Sequence, residues 1–141
     1  MDELYQQYLK SGALITDVTG VKSSVVYKIQ EMLRPDVEFI AAHPMAGKET
    51  GGIENANTEM FKNANYIVVP TTQNTAEAIE LCEDLGKVLG FENISRLSVE
   101  KHDKMIAFLS QLTHCIAVSL MCSSDNPDLV KYTGDSFRDL T

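Results

Sequence analysis

Hydrophobic positions change rhythm twice along the chain. Residues 13–17, 37–42 and 66–70 are short, mainly apolar runs of the length expected for buried strands, and the more polar residues 93–97 read as a fourth strand. Between them the apolar residues space out. Val25, Ile29 and Met32 or Leu33 recur at a helical period within residues 21–33, and Pro35 stops that segment. Ala78, Leu81, Cys82, Leu85, Val88 and Leu89 form one stripe of a second helix, with Gly86 as a mild interruption and Gly90 as its stop. Asn74 followed by Glu77 reads as the capping box that opens it. A short helix is expected over residues 2–11, where Asp2 and Glu3 suit the dipole of a first turn and Gly12 ends it. Strands alternating with helices up to residue 97 predict an α/β unit, with a mostly parallel sheet and helices on its faces.

Two stretches depart from that rhythm. Residues 43–65 hold Gly47, Gly51 and Gly52 and many polar side chains. They read as a long loop with one helical turn near Met60 and Phe61, and loops of that length in compact domains are functional or disordered. After residue 97, Ser98 can cap one long helix reaching Cys122. Met105, Ile106, Phe108, Leu109, Leu112, Ile116, Ala117, Val118, Leu120 and Met121 cover most of its circumference. Such a helix needs cover. The polar tail after it is too short to supply any, so the chain is expected to be a piece of a longer one or to pair with a second chain. The predicted organisation is a partial α/β domain over residues 1–97 and the start of a helical domain over 98–141.

Charge narrows the partners. Twenty acidic against 12 basic side chains give a formal charge of -8, which argues against nucleic acid and against an anionic membrane surface. No run of about 20 consecutive apolar residues suggests a membrane span, and the polar start is unlike a secretory leader. Cys82, Cys115 and Cys122 sit among apolar neighbours without metal-type spacing. They read as buried, reduced thiols of a cytoplasmic protein, and no metal site is expected.

Three histidines are candidates for chemistry. His43 is expected at the carboxyl end of a parallel strand, the edge where open α/β sheets bind ligands. There it can serve as an acid–base or hydrogen-bonding group, or simply cap the loop. Ser110 and His114 are four residues apart on the long helix and share a face. They can meet a ligand or bond internally to a carbonyl. His102, among Glu100, Lys101, Asp103 and Lys104, reads as a charged-surface residue. No G-x-G-x-x-G turn occurs, and Gly47, Gly51 and Gly52 lie in the wrong context for a phosphate loop.

Five stretches, in order, resemble the prephenate and arogenate dehydrogenases. The run His43-Pro-Met-Ala-Gly-Lys-Glu-Thr-Gly-Gly is similar to that family's signature. Residues 15–17 with 21–23 resemble its D-x-x-S-x-K turn, residues 66–71 the strand after the loop, residues 110–114 its S-x-L-P-H helix motif, and residues 136–141 its G-F-R-D-x-T segment. The resemblance implies the second half of a Rossmann-type sheet followed by a helical dimerisation domain. It implies oxidative decarboxylation of prephenate, or of arogenate, with hydride passing from C4 to NAD or NADP. His43 takes the place of the catalytic histidine that holds the C4 hydroxyl. Ser110 and His114 would face the substrate. Glu49 and Asp139 would order the site through ion pairs. Asp17, Thr19, Gly20 and Lys22 would form the cofactor-side turn, with Gly20 where the family commonly has a serine, and Thr113 replaces a frequent proline. The same resemblance implies a homodimer through the helix of residues 98–122. Without a phosphate turn, this chain alone is not expected to hold the dinucleotide tightly. Two other classes remain: a non-catalytic binding or oligomerisation module, and a related β-hydroxyacid dehydrogenase. Lys101 and Lys104 lie too near the helix start for the catalytic lysine of the latter.

Overall fold

The computed structural model describes residues 7–47 and 52–140, which divide into two compact units, residues 1–103 and 104–141. In the first unit the strands are β1 (Leu14–Thr16), β2 (Glu38–Met45), β3 (Asn65–Val69) and β4 (Asn93–Arg96), paired in that order in one sheet. Its helices are α1 (Val26–Met32) and α2 (Ala76–Leu89), followed by the start of α3 (Val99–Cys122). The α/β class with a mostly parallel sheet is therefore observed. β1 runs parallel to β2, and β3 to β4, but β2 and β3 are antiparallel, with His43 opposite Ile67.

Strand alternation sorts the core into two layers. Phe39, Ala41, Ile67 and Val69 pack with Val26 of α1 and Val99 of α3 on one face. Ile40, Ala42, Tyr66 and Val68 pack with Cys82 of α2 and Phe91 on the other. β2 and β3 are thus buried on both sides, which is why each reads as a continuous apolar run rather than an alternating one.

Several boundaries differ from the sequence expectations, each for a local reason. Residues 7–12 form turns instead of the end of a helix; the rest of that expected element lies outside the described residues. α1 begins at Val26 rather than residue 21. β2 continues through His43 and Pro44 to Met45 because β3 returns alongside it. The loop that follows contains 3-10 turns at Ile53–Asn55 and Thr58–Phe61.

At the start of α2 the N-cap is Thr75, whose hydroxyl accepts the Ala78 N–H at 3.1 Å. Asn74 is used elsewhere: its side chain accepts the Thr71 N–H and donates to the Phe39 carbonyl. The reciprocal half of the cap comes from β2. Glu38 accepts both the Thr75 N–H (2.8 Å) and its hydroxyl (2.9 Å), so Glu77 is not needed for it. The buried stripe of α2 is Ala78, Cys82 and Gly86. Gly86 is a packing requirement, since a Cβ there would lie 2.7 Å from the Tyr66 ring. Leu81, Leu85, Val88 and Leu89 consequently stay exposed, and three of them line an open apolar groove of about 360 Å³ beside Leu14 and Ile40.

α3 is a continuous helix, but its middle, Ala107–Leu112, is wound as a π-helix. Such insertions occur often at functional sites. In the second unit Phe108, Leu109, Leu112, Ile116, Val118 and Met121 are exposed, as are Cys115 and Cys122, against the expectation of buried thiols. Only Cys82 is buried among the three. By length and composition α3 is also apolar enough to cross a membrane, contrary to the count of consecutive apolar residues, though core helices of soluble proteins meet the same test. Short helices α4 (Leu129–Tyr132) and α5 (Asp135–Arg138) complete the unit.

Candidate active site

β1 ends at Thr16 while β2 continues, which leaves ladder groups of β2 to be satisfied by side chains. Asp17 does this. Its Oδ1 accepts the Ala42 N–H at 3.0 Å. Its Oδ2 accepts from Lys22 Nζ (2.8 Å), from the Thr19 N–H (3.2 Å) and, closely, from the Thr19 hydroxyl. Lys22 is fully buried, and its ammonium also donates to the Ala42 carbonyl (2.5 Å) and to Thr19 Oγ1 (3.4 Å). Three donors thus meet three acceptors. Burial lowers the Lys22 pKa, and the Asp17 carboxylate opposes that shift.

The same turn is tied down from α3. Asp103 accepts the backbone N–H groups of Lys22 (Oδ1, 2.8 Å) and Ser23 (Oδ2, 2.8 Å), capping the approach to α1 from about eighty residues away. Burial works against its ionisation. Hydrogen bonds from Ser23, Lys22 and His102 outweigh that and hold the carboxyl well below the usual carboxylate range.

His102 was expected on a charged surface; instead it is fully buried. Its Nδ1 lies 2.8 Å from Asp103 Oδ1, and its Nε2 lies 2.8 Å from Nδ1 of His43. The two rings meet edge to face, with centroids 5.1 Å apart. The pair was missed because its neighbours in sequence are charged. A signal was present: Val99, His102 and Ile106 are spaced i, i+3, i+7 and all are buried.

His43 is half-buried and lies beyond the carboxyl end of β1, though inside β2 rather than at its end. Its Nε2 faces Gly20, where an added Cβ would sit 3.8 Å away. Burial, then the nearby His102 and Lys22, lower its pKa below the usual 6.5, with Asp17 and Asp103 opposing. A neutral imidazole at that place can accept a proton or a hydrogen bond.

The expected site residues fall into three groups. His43, Asp17, Thr19, Gly20 and Lys22 are brought together; Thr19 and Gly20 are exposed beside the histidine, while Asp17 and Lys22 are spent inside the turn. Glu49 lies outside the described residues. Ser110, His114 and Asp139 belong to the second unit: Ser110 is half-buried in the π-helical segment, His114 is exposed in the next turn, and Asp139 is exposed at the end of α5. Arg138 beside it pairs with Asp135 at 2.7 Å.

Comparison with known proteins agrees in both parts of the chain. Residues 1–93 match the prephenate dehydrogenase nucleotide-binding domain, and residues 98–141 match the prephenate dehydrogenase dimerization domain. The chain is 31% identical over 146 residues to the prephenate dehydrogenase of Bacillus subtilis, covering 100% of this chain and 39% of that protein. It is 32% identical to the cyclohexadienyl dehydrogenase of Zymomonas mobilis, covering 94% of this chain and 47% of that one. It therefore spans less than half the length of these relatives. Among solved structures, prephenate dehydrogenase from A. aeolicus in complex with hydroxyphenyl propionate and NAD+ superposes with a TM-score of 0.81 at 28% identity, over 96% of this chain and 48% of the other. Synechocystis arogenate dehydrogenase gives 0.77 at 26% identity, over 98% and 51%. With a nucleotide-binding match over most of its length and a dimerization match over the rest, this chain belongs to the prephenate dehydrogenase family.

Proposed function

We propose that this chain works as part of an NAD(P)-dependent prephenate dehydrogenase, acting in tyrosine biosynthesis in the cytoplasm. The observation that carries the reading is the placement of His43. It is half-buried, its pKa is lowered, and its Nε2 is aimed at the Gly20 turn beyond the end of β1. When bound, the dinucleotide would accept hydride from the C4 carbinol carbon of the substrate. His43 Nε2 holds the C4 hydroxyl proton as that carbon is oxidised, and the ring carboxylate departs as carbon dioxide while the ring becomes aromatic.

The Asp17–Lys22 turn supports the nicotinamide side of the site. Gly20 puts no side chain against His43, where a Cβ would touch the ring at 3.8 Å, and Val18 and Thr19 are exposed in the same turn. Asp17 and Lys22 act by holding that turn rigid, since their polar atoms are already engaged. Ser110, His114 and Asp139 are assigned to the substrate side by the family motifs they occupy, as is Glu49. On this reading the nucleotide-binding part covers residues 1–97 and the helical part 98–141. The exposed apolar side chains of α3 are covered by a second copy of the chain, consistent with the dimerization match.

Arogenate is the alternative substrate, supported by the arogenate dehydrogenase among the structural neighbours. The test is a chimera in which residues 1–141 replace the matching stretch of the Bacillus subtilis enzyme, offered prephenate or arogenate with NAD+ or NADP+. Prephenate-dependent nicotinamide reduction is the expected result. A folded chimera that oxidises neither substrate would overturn the reading, and a preference for arogenate would select the alternative.

A further inference from the structure

The histidine that is to accept the substrate proton does not stand alone. Its Nδ1 is engaged by a second, fully buried histidine, which is itself held by an aspartate. A neutral imidazole carries one N–H and one lone pair, and the hydrogen bond at one nitrogen decides which nitrogen remains free. Carboxylates only accept. Asp103 is fixed as an ionised acceptor by two backbone N–H groups from the start of α1. The proton of a neutral His102 therefore lies on Nδ1, facing Asp103, and its Nε2 presents a lone pair. That lone pair can be satisfied only by an N–H on Nδ1 of His43.

We propose that His102 is a positioning residue: anchored by Asp103, it fixes His43 as the Nδ1–H tautomer, leaving Nε2 as a free acceptor pointed at Gly20. This deepens the reading of His43 as proton acceptor and rests on it for its functional meaning. The relay also links two parts of the site. Asp103 holds the backbone of Lys22 and Ser23, so the turn bearing Thr19 and Gly20 and the ring of His43 are set by one carboxylate. His102 cannot exchange this duty with solvent, because it is fully buried.

The experiment uses the chain as it is, with no substrate. Long-range proton–nitrogen correlation spectra of nitrogen-15-labelled protein, recorded above the titration of the histidines, report which nitrogen of each ring carries hydrogen. His43→Asn and His114→Asn assign the signals. The expected result is N–H character at His43 Nδ1 and lone-pair character at Nε2. His102→Leu removes the acceptor and should shift His43 towards the Nε2–H form, while His102→Gln, which restores a carbonyl acceptor, should recover the original pattern. A wild-type His43 carrying its proton on Nε2 would overturn the proposal, as would an unchanged tautomer in His102→Leu. If His102→Leu does not fold, the wild-type spectrum and the Gln variant still decide. Failure of the dehydrogenase reading would show in turnover and leave these spectra untouched.

Discussion

At the scale of single residues the account turns on how His43 is kept neutral and free. Its lowered pKa means that the imidazole keeps its lone pair through neutral pH. Turnover in the active chimera should therefore hold through pH 6.5, where an ordinary histidine is half protonated, and fall only at lower pH, as the acceptor protonates among Asp17, Lys22, His102 and Asp103. Stability follows the same sign. The unfolded histidine takes up a proton near 6.5 that the folded one resists, so folding stability should decline as pH falls below that value. Chemical denaturation at a series of pH values measures this slope. Lys22 gives a second prediction. Lys22→Ala strips the partner from the partly buried Asp17 carboxylate and should cost about 3 kcal/mol, read from the denaturation midpoint. Loss of less than about 1 kcal/mol would mean that the pair is solvated, unlike the arrangement seen here. The place of His43 towards the end of an apolar strand was legible in the sequence. That of His102 was not, because Glu100, Lys101 and Lys104 around it signal a surface, while His43 lies far away in sequence and the adjacent Asp103 is engaged by the equally distant Lys22 and Ser23.

At the scale of elements, sequence reading located the four strands and the two principal helices of the first unit; all but the short, polar β4 are runs or stripes of apolar residues. What it missed depends on contacts between elements. The α2 cap is completed by Glu38 of β2, and α1 is anchored by Asp103, neither of which a local window contains. The antiparallel return of β3 follows from the path of the long loop before it, and loops carry no directional signal. Thr75→Ala should destabilise the protein by about 1 kcal/mol, and Asn74→Ala should leave the α2 cap itself intact. Gly86→Ala tests the close approach of α2 to β3. An alanine normally favours a helix, yet here its methyl meets the Tyr66 ring, so a loss of roughly 1–3 kcal/mol is expected where surface-helix reasoning predicts a gain.

At the scale of the whole molecule, the proposed dimer rests on the apolar side chains along α3. Phe108, Leu109 and Ile116 are half or more exposed, and a patch of that kind marks an interface. Light scattering at micromolar concentration should return a dimer, and a charged substitution such as Leu112→Glu should shift it towards monomer. A wild-type chain that stays monomeric with α3 folded would remove the dimer from the account. The chain alone should bind NAD+ only at the order of millimolar, since the sequence contains no glycine-rich turn to seat a pyrophosphate on a helix N-terminus. Calorimetry showing micromolar affinity would point to another phosphate site.

The most direct test of the central claim is the turnover of the chimera with and without its histidine. His43→Asn keeps a polar group of similar reach but removes the proton acceptor. The account predicts that the variant folds, retains a similar KM for prephenate, and loses about 10²–10⁴ in kcat, the range of a missing acid–base group. A folded His43→Asn variant that turns prephenate over as fast as the unsubstituted chimera would contradict it, and would leave His43 as a residue that only packs against His102.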